Sequence, residues 1–355
     1  MGRGVGQSRN RAHERGASVK SVLQFIGLLG LLAALSLGGG GYFAWREAKR
    51  PGPFGEDKVV LLQPGSSVTA IANKLGEEGV VRYPPLFIAA VRVKGDQGKI
   101  KAGEYKIPAR ASVVDIVDIL VEGKSILHYF TAAEGLTTAQ ILRLVAADPT
   151  LAGDITGAPA EGVLLPETYA FTRGETRDAM IRTMTDAQNK LMDALWDGRA
   201  LDLPYSTRQQ AIILASIVEK ETAVPDERPR IAAVFINRLK KGMRLESDPT
   251  IIYGLTKGEP LGRGLKESEI RKATPYNTYL IQGLPPTPIA NPGRAAIEAV
   301  LNPAQTDDLF FVADGSGGHV FSSNIADHNR NVAKWRRVEK EEASEAAAAE
   351  APKDH

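Results

Sequence analysis

The sequence contains no cysteine and shows almost no charge imbalance, with 44 Lys and Arg against 42 Asp and Glu. The absence of cysteine excludes a disulfide scaffold, a thiol nucleophile and a zinc site built on thiolates. A formal net charge of +2 gives no case for nucleic-acid binding, which usually needs a strongly basic face. Histidine is scarce as well, with five residues that lie far apart in the sequence. We therefore predict no metal centre, no cofactor and no nucleic-acid partner.

The rest of the composition is that of a globular protein. With 355 residues, of which 43% are hydrophobic and 24% charged, the chain is long enough for roughly two domains and is not disordered as a whole.

One long apolar run lies near the N-terminus. Residues 21–45 carry no charge, and as a helix they would measure roughly 37 Å, enough to cross a hydrocarbon core of about 30 Å. Basic residues are more frequent before the run than after it, which predicts a cytoplasmic N-terminus (1–20) and an extracytoplasmic remainder. A cleaved signal peptide is the alternative, although the run is long for one. A buried soluble helix is disfavoured by the four glycines at 38–41.

Beyond this run the pattern predicts an α+β fold in several parts. Residues 46–57 form a Pro- and Gly-containing linker, and residues 58–125 alternate strand-like and helix-like segments. Their order of strand, helix, helix and strand resembles a LysM-like fold, a type of module that binds glycans, and a plain spacer is the alternative. Residues 126–338 form a larger mixed α/β domain, and residues 339–355 are a low-complexity Ala/Glu tail.

The densest chemical signal lies between residues 206 and 254. Ser206 and Gln209 are spaced as a capping box, which predicts that a helix begins there and ends before Pro225. On that helix Glu221 continues the apolar stripe of Leu214, Ile217 and Val218. Glu219 lies roughly 200° away around the helix axis. The two carboxylates therefore point apart and do not form a catalytic pair on this helix.

A carboxyl group held against an apolar face is costly to ionise, so its pKa rises. A general acid in glycosidic bond cleavage needs such a pKa near neutral pH. Glu221 fits this requirement, and the alternative is an ordinary surface or salt-bridged residue at a helix end. His319 follows a Gly-rich turn in a predicted hairpin and is interpreted either as a titrating site residue or as a structural one.

Several stretches, in order, resemble the signature motifs of the endolytic murein transglycosylase family, known as MltG or YceG-like. The resemblance covers about residues 18–338, and LLPET is a mild variant of the family's more usual version. The matching stretches are KAGEY (101–105), AEGLT (133–137), EGVLLPETY (161–169), ASIVEKET (215–222), FINRL (235–239), MRLESDPTIIYG (243–254), TPYNTY (274–279), GLPPTPIANPG (283–293) and FFVADGSGGHVF (310–321).

The resemblance implies a lyase that cleaves the β-1,4 bond between N-acetylmuramic acid and N-acetylglucosamine without water and leaves 1,6-anhydro ends. It implies one Glu of the EKE segment as acid and then base, and we predict Glu221, with Glu219 in reserve. Weaker implications concern residues that line the glycan cleft or orient the acid. These are Asn277, Tyr276, Asp248, Thr250 and Glu167.

The implied setting is the inner membrane. The implied partners are the glycan strands of peptidoglycan, together with peptidoglycan synthases or the division machinery, because an anchored enzyme could terminate nascent chains beside the synthases. Two other classes stay open, a non-catalytic tethered peptidoglycan-binding scaffold and a hydrolase with a second carboxylate. A metal-dependent deacetylase is poorly supported, because a lone His319 supplies no ligand cluster.

Overall fold

The computed structural model describes residues 14–350, and the side chains of residues 22–340. Residues 1–13 of the predicted cytoplasmic tail and residues 351–355 of the predicted low-complexity tail lie outside the described residues. The chain divides into two compact units, Met1–Ile126 and Leu127–His355.

The first unit begins with a long helix, α1 (Glu14–Ala48). Val22–Ala48 is the one helix among the described residues that is long and apolar enough to cross a membrane. Its large apolar side chains are exposed, with Leu31 at 57% and Phe43 at 68%. The helix is longer than the predicted run of 21–45 and takes in the first three residues of the predicted linker. Arg, Glu and Ala at 46–48 are good helix formers, and the helix ends shortly before Pro51.

The rest of the first unit is a small α+β module. Strands β1 (Lys58–Leu62) and β2 (Gly103–Ile107) pair antiparallel. Two helices lie between them in the sequence, α2 (Val68–Glu77) and α3 (Pro84–Lys94). A third helix, α4 (Val113–Glu122), follows β2. The strand, helix, helix, strand order agrees with the sequence pattern, while the LysM likeness stays a prediction.

Side-chain caps fix the starts of two of these helices. Ser67 accepts a hydrogen bond from the backbone N of Ala70, and Ser112 forms a capping box with Asp115. In both cases the serine immediately precedes the first apolar turn of its helix, which is the sequence pattern of an N-cap.

The second unit combines helices with two antiparallel ribbons, β3 with β4 and β5 with β6. All strand pairs of the described chain are antiparallel, which gives the fold its α+β class. The elements in order are β3 (Leu127–Thr131), α5 (Thr138–Ala147), β4 (Thr168–Thr172), α6 (Arg177–Trp196), α7 (Arg208–Glu221), a short 3-10 turn (Pro225–Glu227), α8 (Arg228–Lys240), α9 (Asp248–Thr256), α10 (Glu267–Ile270), α11 (Arg294–Leu301), β5 (Phe310–Ala313), β6 (His319–Ser322) and α12 (Ile325–Glu350).

Helix α7 is the centre of this unit. Every residue from Ala211 to Val218 is buried, and α8, α9 and α11 pack around the helix. A helix that is covered on all sides needs apolar residues all round, which explains why Ile212 and Ile213 extend the apolar surface beyond a single stripe. Ser216 is its one polar residue in this stretch, and its hydroxyl donates to the carbonyl of Ile213 and accepts from the backbone N of Ile289.

The start of α7 differs from the prediction by one residue. Thr207, not Ser206, is the N-cap, and its partner is Gln210, not Gln209. The Thr207 hydroxyl accepts from the backbone N of Gln210 at 3.2 Å, and the Gln210 amide oxygen accepts from the backbone N of Thr207 at 3.2 Å. The sequence presents two overlapping cap patterns, Ser206 with Gln209 and Thr207 with Gln210, and the helix uses the second.

A single buried amide joins distant segments of the second unit. Asn291 is fully buried; its Oδ1 accepts from the backbone N of Leu164 at 3.0 Å, and its Nδ2 lies 3.1 Å from the Leu136 carbonyl and 3.1 Å from the Thr138 hydroxyl. A fourth contact reaches Glu161 at 3.2 Å. This side chain therefore ties the loop before α11 to the segments on either side of α5.

Asn291→Ala should destabilise the second unit, because it leaves several buried polar groups without partners. At 1–3 kcal/mol for each such group, the expected loss is about 3 kcal/mol. Thermal unfolding followed by near-ultraviolet circular dichroism measures the change. Asn302→Ala, at an exposed position, is the control, and an equal shift in both variants would contradict this role for Asn291.

Candidate functional site

Glu221 is the last residue of α7, and its carboxylate oxygen Oε1 accepts a hydrogen bond from the Ser247 hydroxyl at 2.5 Å. Burial raises the pKa of Glu221 to about 7, from an ordinary value of 4.5. The Ser247 hydrogen bond opposes this rise, and the nearby charge of Asp248 adds to it. Glu221 therefore combines the position predicted from the sequence with a pKa suited to proton exchange near neutral pH.

A buried hydroxyl cluster holds Ser247, the N-cap of α9. The backbone N of Ser247 donates to Thr278 Oγ1 at 3.0 Å, and the Thr250 hydroxyl donates to the Ser247 carbonyl at 2.6 Å. Thr250 and Thr278 are themselves 2.8 Å apart through their hydroxyl oxygens. Thr250 thus reaches Glu221 indirectly, by fixing the residue that donates to it.

Asp248 is the first residue of α9 and is exposed beside this cluster. The Tyr279 hydroxyl donates to Asp248 Oδ1 at 2.8 Å. Burial, followed by this bond to Asp248, raises the pKa of the Tyr279 phenol, which keeps its proton on Tyr279. Sequence reasoning identified Asp248 and Thr250 but missed Ser247, Thr278 and the contact of Tyr279 with Asp248. The only sequence signal for them was their position within the SDPT and TPYNTY motifs.

Glu219 belongs to a different network. Its side chain is only 4% exposed; Oε2 accepts from the backbone N of Gly293 at 2.9 Å, and Oε1 lies 3.4 Å from the Arg228 guanidinium. Arg228 also lies 3.5 Å from Glu134. Burial raises the pKa of Glu219, whereas the hydrogen bond from the Gly293 backbone N–H lowers it. Glu219 therefore links α7 to the N-terminus of α11, while Glu221 faces Ser247.

Two of the predicted substrate residues lie in the loop between α10 and α11. Asn277 is fully buried, and its Nδ2 donates to the carbonyls of Ile270 at 2.7 Å and Lys272 at 2.8 Å. The hydroxyl oxygens of Tyr276 and Thr287 are hydrogen-bonded at 2.9 Å. The ring centroids of Tyr276 and Tyr253 lie 5.0 Å apart, edge to face. Asn277 thus shapes its own loop, and glycan contact by either residue stays a prediction.

Glu167 lies elsewhere in the second unit. It is exposed immediately before β4, and its backbone carbonyl accepts from the N of Ala132. No hydrogen bond between the described side chains joins it to Glu221, so its predicted role in the cleft stays a prediction. No group of three or more His, Asp or Glu within the described part of the chain is arranged to hold a metal ion.

Comparisons of the sequence with known proteins point to one family. Residues 60–334 match the YceG-like family. An endolytic murein transglycosylase of Bacillus subtilis is 30% identical over 309 residues, which covers 78% of this chain and 84% of the relative. An endolytic murein transglycosylase of Streptococcus pneumoniae is 30% identical over 366 residues, 88% of this chain and 64% of the relative. The 2.6 Å crystal structure of a yceG-like protein from Listeria monocytogenes has a TM-score of 0.49, 28% identity, and coverage of 78% of this chain and 98% of that chain.

Glu221→Gln should make stability less sensitive to alkaline pH. Because the folded-state pKa lies above the ordinary value, the protonated carboxyl contributes stability that is fully present below about pH 4.5 and is lost as pH rises through about 7. The full effect is on the order of 3 kcal/mol. We therefore expect the thermal midpoint of the variant, relative to that of the wild type, to be higher at pH 8 than at pH 5.

Glu298→Gln, on the exposed face of α11, controls for the loss of a surface carboxylate. The same difference between Glu221→Gln and wild type at both pH values would show that the Glu221 carboxyl is not perturbed as described.

Proposed function

The chain belongs to the YceG-like family of endolytic murein transglycosylases, and we propose that Glu221 carries out its cleavage of murein. The observation that supports this assignment most is the burial of the Glu221 carboxyl at the end of α7, which raises its pKa to about 7. At neutral pH such a group is present in both its acid and its base form, and one carboxyl can then perform both proton transfers.

In the first step the protonated Glu221 donates to the glycosidic oxygen of the leaving N-acetylglucosamine. The bond from muramyl C1 to that oxygen breaks, and C1 gains oxocarbenium character. The Ser247 hydroxyl, 2.5 Å from Oε1, supports the negative charge that develops on the carboxylate.

In the second step the Glu221 carboxylate takes the proton of the muramyl C6 hydroxyl, and O6 attacks C1 to close the 1,6-anhydro ring. The proton returns to Glu221, so the enzyme is restored without water or cofactor. Because the nucleophile belongs to the substrate, no second carboxylate is needed to activate water. Glu219 suits the acid role less well, since both of its oxygens already have partners in Gly293 and Arg228.

The remaining predicted residues take supporting roles in this proposal. Asp248 raises the pKa of Glu221, and Thr250 holds Ser247 in place. Asn277 maintains the loop that carries Tyr276 and Tyr279. Tyr276 and the exposed Glu167 would line the path of the glycan strand.

The cellular arrangement is also a proposal. Helix α1 would anchor the chain in the inner membrane by a single span, with residues 1–20 cytoplasmic and residues 126–338 outside as the catalytic domain. Residues 58–125 would form a LysM-like module that binds glycan. Such an anchor would confine cleavage to nascent strands near the membrane, beside peptidoglycan synthases or the division machinery.

Glu221→Gln should lower the rate of murein cleavage by about three orders of magnitude, because the amide can neither donate the acid proton nor accept the C6 hydroxyl proton. Release of anhydro-ended fragments from murein measures the rate, and circular dichroism checks the fold. Glu219→Gln keeps an acceptor for Gly293 and should retain most activity. The opposite order of losses would move the assignment to Glu219.

Ser247→Ala should shift the alkaline limb of the kcat/KM profile to higher pH. The Ser247 hydroxyl lowers the pKa of Glu221, so its removal lets the acid stay protonated at higher pH. Ser206→Ala, at the opposite end of α7, is the matched control. An unmoved limb, or one moved to lower pH, would argue against Glu221 as the acid.

A further inference from the structure

The loop between α8 and α9 folds back along α8 and leads directly to Ser247. A left-handed turn at Gly242 (φ 65°) reverses the chain after α8. The backbone N of Met243 then donates to the Arg238 carbonyl at 2.9 Å. Residues 244–246 lie against the Arg238 side chain, which is only 9% exposed. The loop that carries the hydroxyl donor of the site is therefore packed against one buried guanidinium.

The Arg238 guanidinium binds three consecutive residues of this loop. Its Nη1 donates to the carbonyl of Arg244 at 3.2 Å, the carbonyl of Leu245 at 2.9 Å and Oε2 of Glu246 at 3.1 Å. Its Nε donates to the carbonyl of Leu309, immediately before β5, at 2.6 Å. A guanidinium presents its N–H groups in a rigid planar fork. The fork therefore fixes the loop relative to both α8 and the start of β5.

Glu246 adopts a backbone conformation that is rare for a residue with a side chain. Its φ is 55°, in the left-handed region that favours glycine. The bond from Arg238 holds its carboxylate, and its backbone N donates to the Thr278 carbonyl at 3.2 Å. Such strain persists only where the surrounding contacts enforce it, and it is concentrated at functional sites. Because Ser247 is the next residue, this turn sets the direction of the Ser247 side chain.

The Ser247 hydroxyl is the group through which the loop reaches Glu221. Ser247 is 2% exposed, and its Oγ lies 2.5 Å from Glu221 Oε1. Hydrogen bonds weaken steeply when the donor is misaligned, so the donation depends on the exact path of the loop. Hydrogen bonds and the loop backbone therefore connect the Arg238 guanidinium to the Glu221 carboxyl without a gap.

We propose that Arg238 is a positioning residue, whose guanidinium holds the left-handed turn at Glu246 so that the Ser247 hydroxyl is aimed at the Glu221 carboxyl. The inference rests on the proposed function, because it concerns the acid of that reaction. Arg238 exchanges no proton with the substrate and acts through Ser247. This role needs the planar fork of the guanidinium and not only its positive charge.

Charged and titratable groups face Glu221 from several elements, and their effects must be separated from this one. They are Asp248 of α9, His319 of β6, Arg238 of α8 and Tyr279 of the loop before α11. Burial is the main cause of the raised pKa of Glu221; the charge of Asp248 adds to the rise, and the two positive charges oppose it. The His319 ring is itself hydrogen-bonded to Glu227 at 2.7 Å. A variant that keeps the charge of Arg238 leaves all these charges in place and changes only the geometry.

Arg238→Lys separates geometry from charge, because lysine keeps the positive charge but has no planar fork. The full chain acts on uncrosslinked glycan strands, and kcat/KM is measured against pH beside Ser247→Ala. We expect the alkaline limb of Arg238→Lys to move to higher pH by about one pH unit, as in Ser247→Ala. The double variant should show no further shift, since both changes act on one hydrogen bond. Arg230→Lys, which binds Asp308 from the same helix, is the matched control and should keep the wild-type profile.

Two substitutions at Glu246 test the turn while Arg238 is left intact. Glu246→Gly and Glu246→Val lose the same carboxylate, but only the β-branched side chain conflicts with a φ of 55°. We expect the alkaline limb to stay in place in the glycine variant and to move to higher pH in the valine variant. Equal limbs in the two variants would contradict the inference. This pair decides the question if circular dichroism shows that Arg238→Lys does not fold.

A wild-type alkaline limb in a folded Arg238→Lys variant would overturn the inference, because the charge alone would then suffice. So would additive shifts in the double variant with Ser247→Ala, since Arg238 would then act by another route. If Ser247→Ala moves the limb and Arg238→Lys does not, Glu221 remains the acid and only the role of Arg238 is rejected. Glu221→Gln is measured alongside, and full activity in that variant would reject both the assignment of Glu221 and the inference.

Discussion

The rest of the second unit depends on one constraint, the burial of a carboxyl group at the end of a helix that is otherwise apolar. Ala211 to Val218 are covered on all sides, and Glu221 follows, half-buried, at the end of the same helix. Desolvation of a carboxylate is unfavourable, so the pKa of Glu221 rises to about 7. The Ser247 hydroxyl keeps the ionised form accessible. The Glu221 carboxyl therefore affects both the stability of the second unit and its capacity for proton transfer.

Much of the fold could be predicted because its signals are local. Caps at Ser67 and Ser112, the hairpin around residues 310–322 and the end of α7 before Pro225 all follow from neighbouring residues. The predicted start of α7 at Ser206 was wrong by one residue, since Thr207 with Gln210 forms a competing capping box. The extent of α1 was underestimated, because a charge-free run defines a membrane span but not the helix that contains it.

The site was less predictable, because its contacts join segments far apart in the chain. The helical face of Glu221 follows from spacing, but its donor Ser247 is brought there by a hydroxyl cluster with Thr278. The link between Glu227 and His319 spans a much longer stretch of the chain, from the turn before α8 to the last hairpin. For Asn277 the residue type suggested sugar binding, but its side-chain amide is hydrogen-bonded within its own loop.

The most direct measurement is mass spectrometry of the fragments formed when murein is cleaved in heavy-oxygen water. An intramolecular reaction run by Glu221 alone predicts 1,6-anhydromuramic acid ends that are lighter than hydrolytic ends by one water and carry no heavy oxygen. Reducing ends that contain heavy oxygen would contradict the account, because water would then be the nucleophile and a second carboxylate would be required.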